Sequence, residues 1–370
     1  MRTCRQGRVW TLLGHEVRVF VAMHATDTPN LLYLVVILDL GVSPMRRREF
    51  IVALSAAAAL PISAHAQQPL KIWRIGVLES ATRELNTPNM NVFLKTLREY
   101  GYIEGENLVI EYRSTGGRNE RLPELVSELM RLKVNLMLVR GTPEILAVKK
   151  ATSTIPVVMF AVADPVGLGV AASLSHPGGN ITGMDSFTTE VETKRLGLLK
   201  ELLPEMKRMA FLGDFRNSAV QKQWNEVESA ASLLNLHASR LDIRSALDVS
   251  RAFDAAMKEK VDAIRVGIDG TTRPNRQLII DLAETNKIPA IYAAKEFVED
   301  GGLMAYATNY AELYSRAATF VDKIFKGANP ADLPIERPTK LELVINAKTA
   351  KTIGIEIPVT LLARADEVIE

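Results

Sequence analysis

LMLVRGTPEILAVKKATSTIPVVMFAV, residues 136–162, decides the architecture. Leu136–Val139 is a short, uninterrupted apolar run, the pattern of a strand covered on both faces. Gly141-Thr142-Pro143 follows: Thr142 is an N-cap type and proline suits the first position of a helix. Ile155-Pro156 then opens a second apolar run that lasts to Val162, and a proline is tolerated at the first residue of a strand. A strand, a crossover helix and a second strand make one parallel unit.

The same alternation extends in both directions. Upstream, Ile72–Leu78 (IWRIGVL) reads as a buried first strand. Asn119–Lys133 fits a helical template, with Leu122, Leu125, Val126, Leu129 and Leu132 on one face. Downstream, Thr189-Glu190-Val191-Glu192 reads as a capping box opening a helix to about Leu203. Met209–Gly213 is a strand. Ser245–Leu247 leads into a helix whose apolar face is Val249, Ala252, Phe253, Ala256 and Met257. Val261–Ile268 and Pro289–Ala293 are strands, and Ile288-Pro289 repeats the Ile155-Pro156 strand opening. Alternating strands and helices predict an α/β protein with parallel sheets. The likeness of the two halves predicts two Rossmann-like lobes.

Composition agrees. The chain has 370 residues and is 47% hydrophobic, enough for two lobes with separate cores. Its net charge is +2, so no pull toward nucleic acid is expected. Cys4 is the one cysteine, which excludes an internal disulfide framework and a cysteine metal site. Beyond residue 66 only His176 and His237 remain, so neither a metal nor a cofactor is expected. The first strand runs into Leu78-Glu79-Ser80-Ala81 instead of G-x-G-x-x-G, and there is no G-x-S-x-G elbow. No enzymatic activity is expected.

The N-terminal region reads as an address. Met45-Arg46-Arg47-Arg48 is basic, Ile51 to Ser63 is apolar and alanine-rich, and Ala64-His65-Ala66 is a small-x-small cleavage pattern. Residues 45–66 are therefore expected to be a signal peptide cleaved after Ala66. Arg47-Arg48-Glu49-Phe50-Ile51 fits the twin-arginine pattern, with the Sec route as its rival. The apolar run is shorter than the ~20 residues that span a bilayer. Residues 1–44 are expected to be a non-native extension ahead of a start at Met45.

In open α/β sheets, ligands bind beyond the carboxyl ends of the strands. That rule selects Glu79-Ser80, Gly141-Thr142-Pro143 and Asp164-Pro165 in the first half. In the second half it selects the loop 214–218, with Asp214, Asn217 and Ser218, then Asp269 to Thr272, and Lys295-Glu296. Each joins a strand to a helix N-terminus, where free N–H groups favour an anion. Several carry a carboxylate that would pair with a cation. Helix capping or a simple turn explains any one of them equally well, and only their convergence on one cleft argues for a ligand. Arg216 and Arg273 bring positive charge near that cleft.

Ordered segments carry a family resemblance. They are REYGYIEGENLVIEYR (98–113), GTPEILAVKKATSTIPVV (141–158), ADPVGLGVAASLSHPGGNITG (163–183), GGLMAYATNYAELYSRAA (301–318), LPIERPTKLELVINAKTA (333–350) and the tail LLARADEVIE. Across residues 70–370 the chain resembles the ABC transporter substrate-binding protein family that includes tryptophan/tyrosine-type binders. The resemblance implies the type I periplasmic binding fold, with three crossings near Thr182–Ser186, Ala305–Thr308 and Ala331–Pro338. Lobe 1 would comprise 67–183 plus 307–330, and lobe 2 would comprise 184–306 plus 331–370. It implies a periplasmic monomer that captures a small, amino-acid-like solute and delivers it to an ABC permease in the inner membrane. A soluble sensor presenting its bound state to a membrane receptor is the alternative. The expected ligand-binding set is Glu79, Ser80, Gly141, Thr142, Asp164, Pro165, Ser186, Asp214, Asn217, Ser218, Asp269, Glu296 and Tyr306. The loops 213–218 and 267–272 depart from the family's usual pattern, which leaves the ligand's identity open.

Overall fold

The computed structural model describes residues 71–185, 191–338 and 340–370, together with three strands nearer the N-terminus. Residues 1–68 and 69–370 are separate compact units. In the first unit, β1 (Arg5–Leu12), β2 (His15–His24) and β3 (Tyr33–Asp39) form an antiparallel sheet in that order. The leader read at 45–66 lies outside the described residues.

The second unit holds two sheets. The first contains β4 (Trp73–Glu79), β5 (Leu108–Ser114), β6 (Leu136–Arg140), β7 (Val157–Val162) and β8 (Ile181–Asp185). Its order is β5-β4-β6-β7-β8, parallel throughout. The opening stretch therefore supplies two neighbouring central strands. The helix between them, α3 (Thr142–Ala151), follows α1 (Thr87–Glu99) and α2 (Leu122–Arg131). The α2 face behaves as its spacing predicts: Leu122, Leu125, Val126 and Leu129 are buried, and Leu132 packs partly exposed against the same core.

The second sheet contains β9 (Arg208–Gly213), β10 (His237–Asp242), β11 (Ala263–Val266), β12 (Ala290–Tyr292), β13 (Met304–Thr308), β14 (Leu341–Asn346) and β15 (Glu367–Ile369). Its order is β10-β9-β11-β12-β13-β14-β15. All pairs are parallel except β13–β14, a departure from the expected all-parallel sheet. The connectivity explains it. The chain leaves this lobe at the carboxyl end of β13, passes through the first lobe and returns at the same end, so β14 runs the other way.

Helices α4 (Glu192–Leu202), α5 (Ser218–Leu233), α6 (Ala246–Glu259), α7 (Arg276–Thr285) and α8 (Lys295–Glu299) alternate with these strands. Helix α6 starts at its expected cap, the Ser245 side chain accepting from the Asp248 amide, but Met257 is exposed and falls off the buried face. Helix α9 (Tyr310–Phe325) packs on α1, β7 and β8, and so returns to the first lobe. Ala307 and Thr308 still pair with β14, although the second segment of the first lobe was expected to begin at 307. Residues 331–336 also stay on the first lobe, where the expected partition placed them in the second. Ile335 donates to the Leu174 carbonyl and Glu336 to that of Gly183 in β8 (2.7 and 2.9 Å).

Glu192, read as the closing residue of a capping box, instead neutralises a buried pair of arginines. It accepts from Arg195 Nη1 (2.7 Å) and from Arg265 Nε (2.7 Å) and Nη2 (2.5 Å), and all three side chains are fully buried. Burial alone would raise the Glu192 pKa. Arg265 and Arg195 outweigh it and hold the carboxyl below its usual range. Arg195 also donates through Nε to the Tyr306 carbonyl (2.8 Å), which ties α4 to the strand from which the chain crosses.

Glu192→Ala would remove the counter-charge shared by two buried guanidinium groups. We expect a loss of about 3–5 kcal/mol of unfolding free energy in urea titrations. A loss under about 1 kcal/mol would show that solvent relieves the cluster.

Candidate functional site

The carboxyl ends of β4, β6 and β7 face those of β9 and β11 across a cleft of about 480 Å3, partly open to solvent. Of the expected residues, Ser80, Gly141, Thr142, Asn217 and Asp269 line it. Gly141 is required where it stands. Its φ is +108°, and a Cβ there would lie 2.3 Å from Glu144 Oε2. The bare backbone lets the Glu144 carboxyl fold back over the start of α3.

The other expected residues serve the walls. Glu79 lies beneath the cleft, fully buried. Its Oε1 accepts from Tyr112 (2.5 Å), Tyr314 (3.1 Å) and Asn86, and its Oε2 accepts from Arg273 of the second lobe (2.7 Å). Asp214 pairs with Arg216 and accepts from the Thr271 hydroxyl. Asp164 caps Gly167 and pairs with Lys222 across the rim. Pro165 is buried beside it, and Ser218 is an exposed first residue of α5. Glu296 accepts from Asn89 of the first lobe through Oε1 (3.1 Å), and its Oε2 is buried without a partner among the described residues. Tyr306 contributes its carbonyl to Arg195. Ser186 lies outside the described residues.

Two of the cleft-lining candidates also act as braces. Asn217 caps α5 by accepting from the Ala219 amide (3.0 Å). Asp269 accepts from the amides of Asp214, Thr271 and Thr272 (3.1, 2.7 and 2.8 Å). Burial still raises the Asp269 pKa, and these amides pull against it. The second-lobe loops thus satisfy their own polar groups, and their helix-start amides are largely engaged.

Sequence reasoning missed Arg140, Glu144 and Gln223, which also line the cleft. Arg140 is only 4% exposed, yet neither Nη1 nor Nη2 has a hydrogen-bond partner among the described residues. The nearest carboxylate oxygen, Glu79 Oε2, is 3.9 Å away, and the guanidinium lies 4.2 Å from the centre of the Tyr310 ring. Glu144 is 2% exposed. Burial drives its pKa up to about 7, with Glu79 adding to the rise while its own amide, Arg273 and Arg140 oppose it. Both residues flank the loop that the strand-end rule selected, and their charge inside an apolar stretch was the available signal.

The lobes are closed on one another. The contacts are Arg273–Glu79, Asn89–Glu296 and Lys222–Asp164, with Arg276 donating to the Leu85 carbonyl (3.4 Å). Gly117, at φ +80°, meets the Gly270 backbone, and a Cβ on it would lie 2.8 Å from the Gly270 carbonyl oxygen. Among the described residues no group of three or more His, Cys, Asp or Glu could hold a metal ion, and no helix is long and apolar enough to cross a membrane.

Comparisons with known proteins converge. A family model described as "ABC transporter substrate binding protein" matches residues 84–369. A tyrosine-binding protein of Clostridioides difficile is 26% identical over 264 residues, 71% of this chain and 76% of that protein. A crystal structure of an ABC domain from Streptococcus pneumoniae in complex with L-Trp is 27% identical, with a TM-score of 0.74 over 81% of this chain and 100% of that one. A conserved domain protein of Vibrio cholerae is also 27% identical, with a TM-score of 0.74 over 80% and 100%. The two lobes form the type I periplasmic binding fold, and the matched family, with its tyrosine-binding and L-Trp-bound relatives, is one of binding proteins, not enzymes.

Two outcomes follow from this geometry. Native Glu144 keeps its proton to about pH 7, while the unfolded chain releases it near the ordinary value of 4.5. The native state therefore holds more protons in that window, and the group's contribution to stability falls as pH rises through it. Glu144→Gln should raise the melting temperature relative to wild type at pH 8 and leave it unchanged at pH 4, as read by calorimetric melts. Gly117→Val should obstruct closure, giving a larger radius of gyration by small-angle scattering at unchanged helix content.

Proposed function

The chain belongs to the ABC transporter substrate-binding protein family, and on that premise we propose that it is the exported binding component of an importer. It captures a small, amino-acid-like solute between its lobes in the periplasm and hands it to an inner-membrane permease. The observation that carries this reading is the closed cleft with buried fixed charges of both signs. Among its lining residues, Arg140 and Arg273 stand against the carboxyls of Glu144 and Asp269, two basic groups against two acidic ones. A cleft balanced in this way suits a solute that carries both signs itself. The relatives named for tyrosine and solved with L-Trp support that class.

Export rests on the leader at 45–66, which would be cleaved after Ala66, with residues 1–44 outside the native protein. Delivery fits the two-lobed form, because a permease would read the closed state that a ligand favours.

Ligand-stripped protein should be stabilised by one or more of the twenty L-amino acids in thermal melts. The gain is about 2.7 kcal/mol at a hundredfold excess over Kd. Failure of all twenty to move the transition would refute the class. Protein from fractionated cells should be found in the periplasm with its N-terminus at Gln67, and retention in the cytoplasm with 45–66 intact would refute the export reading.

A further inference from the structure

We propose that Arg140 and Glu144, four residues apart across the β6–α3 turn, are the two poles that read the ligand: Arg140 takes its carboxylate and Glu144 takes its ammonium. This rests on the amino-acid-like class given above and assigns its recognition to two residues. The occupant it selects is an α-amino carboxylate over a dicarboxylate, a polyol or a simple amine.

Arg140 carries the first half. The two terminal nitrogens of this buried guanidinium have no hydrogen-bond partner among the described residues, although nearby tyrosines and carboxylates support its charge. Glu79 gives it no hydrogen bond: the oxygens lie no nearer than 3.9 Å and already accept from Tyr112, Tyr314, Asn86 and Arg273. The Tyr310 ring beneath the guanidinium holds its plane. A planar fork held in this way fits a carboxylate through paired N–H bonds. Thr142 lines the same cleft.

Elimination carries the second half. Asp164, Asp214 and Asp269 are occupied by Lys222, Arg216 and three backbone amides, and Glu296 does not line the cleft. Glu144 lines it, and the polar group holding its carboxyl is its own main-chain amide. A dicarboxylate would bring its second charge against Glu144 and Glu79. An amine without a carboxylate would leave Arg140 unpaired and add a third cation. With its pKa up to about 7, the Glu144 carboxyl is about half protonated at neutral pH, and an ammonium group beside it would draw the proton off. The charged groups facing Glu144 are Glu79 on β4, Arg140 on β6 and Arg273 after β11.

The test is calorimetry of the twenty L-amino acids against wild type, Arg140→Gln, Arg140→Lys and Glu144→Gln, each checked for a two-state melt. The strongest binder is then compared with its decarboxylated amine and its deaminated acid. We expect about 10- to 100-fold weaker binding of the amino acid to Arg140→Gln and to Glu144→Gln, with partial recovery in Arg140→Lys. The amine should be insensitive to Arg140→Gln, and the deaminated acid insensitive to Glu144→Gln. Wild type should release protons on binding at pH 7, and Glu144→Gln should release none. Binding unchanged in both glutamine variants, or losses equal for the amino acid and both analogues, would overturn this assignment while leaving the amino-acid class intact. No binding by any of the twenty would overturn the class, and the assignment with it.

Discussion

Glu79 is the contact on which the arrangement turns. It ends the first strand of the unit, at the edge where every ligand-facing loop begins, and no part of it reaches solvent. A buried carboxylate must be paired or hydrogen-bonded. Tyr112 on β5, Tyr314 on α9 and Asn86 before α1 meet that need from inside the first lobe, and each comes from a different element. They leave Oε2 for Arg273, which arrives only when the second lobe does. One side chain thus fixes the packing of its own lobe and presents the docking point for the other.

With that pairing in place, most charge at the strand ends is already committed. Asp214, Asp269 and Asn217 brace the second-lobe loops, and Asp164 joins Lys222 at the rim. What stays uncommitted sits on the first lobe, around the turn from β6 into α3. Recognition is therefore unequal between the lobes. The first lobe holds the charged groups not already committed, and the second lines the cleft with Arg273 and Asp269, both engaged elsewhere, and with Gln223, Ala219 and the backbone about Gly270.

The central architecture was legible because buried parallel strands are apolar throughout. Residues 136–162 display two of them with their crossover helix, and the strands at 72–78, 209–213, 261–268 and 289–293 appear within a few residues of their observed bounds. Edge and returning strands escaped. β10, HASRLD, is a half-exposed polar edge, and β14 turns antiparallel only because of the path through the other lobe. The site was half legible for a related reason. The strand-end rule found the right loops, yet it could not separate capping from binding at Asp269 or Asp214, since both roles use the same carboxylate at the same helix start. Arg140 and Glu144 were passed over because burial is a tertiary property. An arginine at the end of an apolar run reads as the point where the chain meets water, and here the rings of Phe160, Tyr310 and Tyr314 stand around it instead.

The cross-lobe contacts also bear on how closure is controlled. Asp164 and Lys222 are about two-fifths exposed, and such rim pairs are worth ~0–1 kcal/mol. The buried Arg273–Glu79 pair gains Coulomb energy but gives up hydration, and the net of such pairs is commonly near zero. The ion pairs across the cleft therefore contribute little net free energy to closure on their own. The closed form leaves both terminal nitrogens of Arg140 without a hydrogen bond, which counts against it. An occupant that supplies Arg140 with a partner converts the opposing term into a favourable one. The differential affinity that shifts the equilibrium then comes from the residue that reads the ligand, so recognition and closure rest on the same guanidinium.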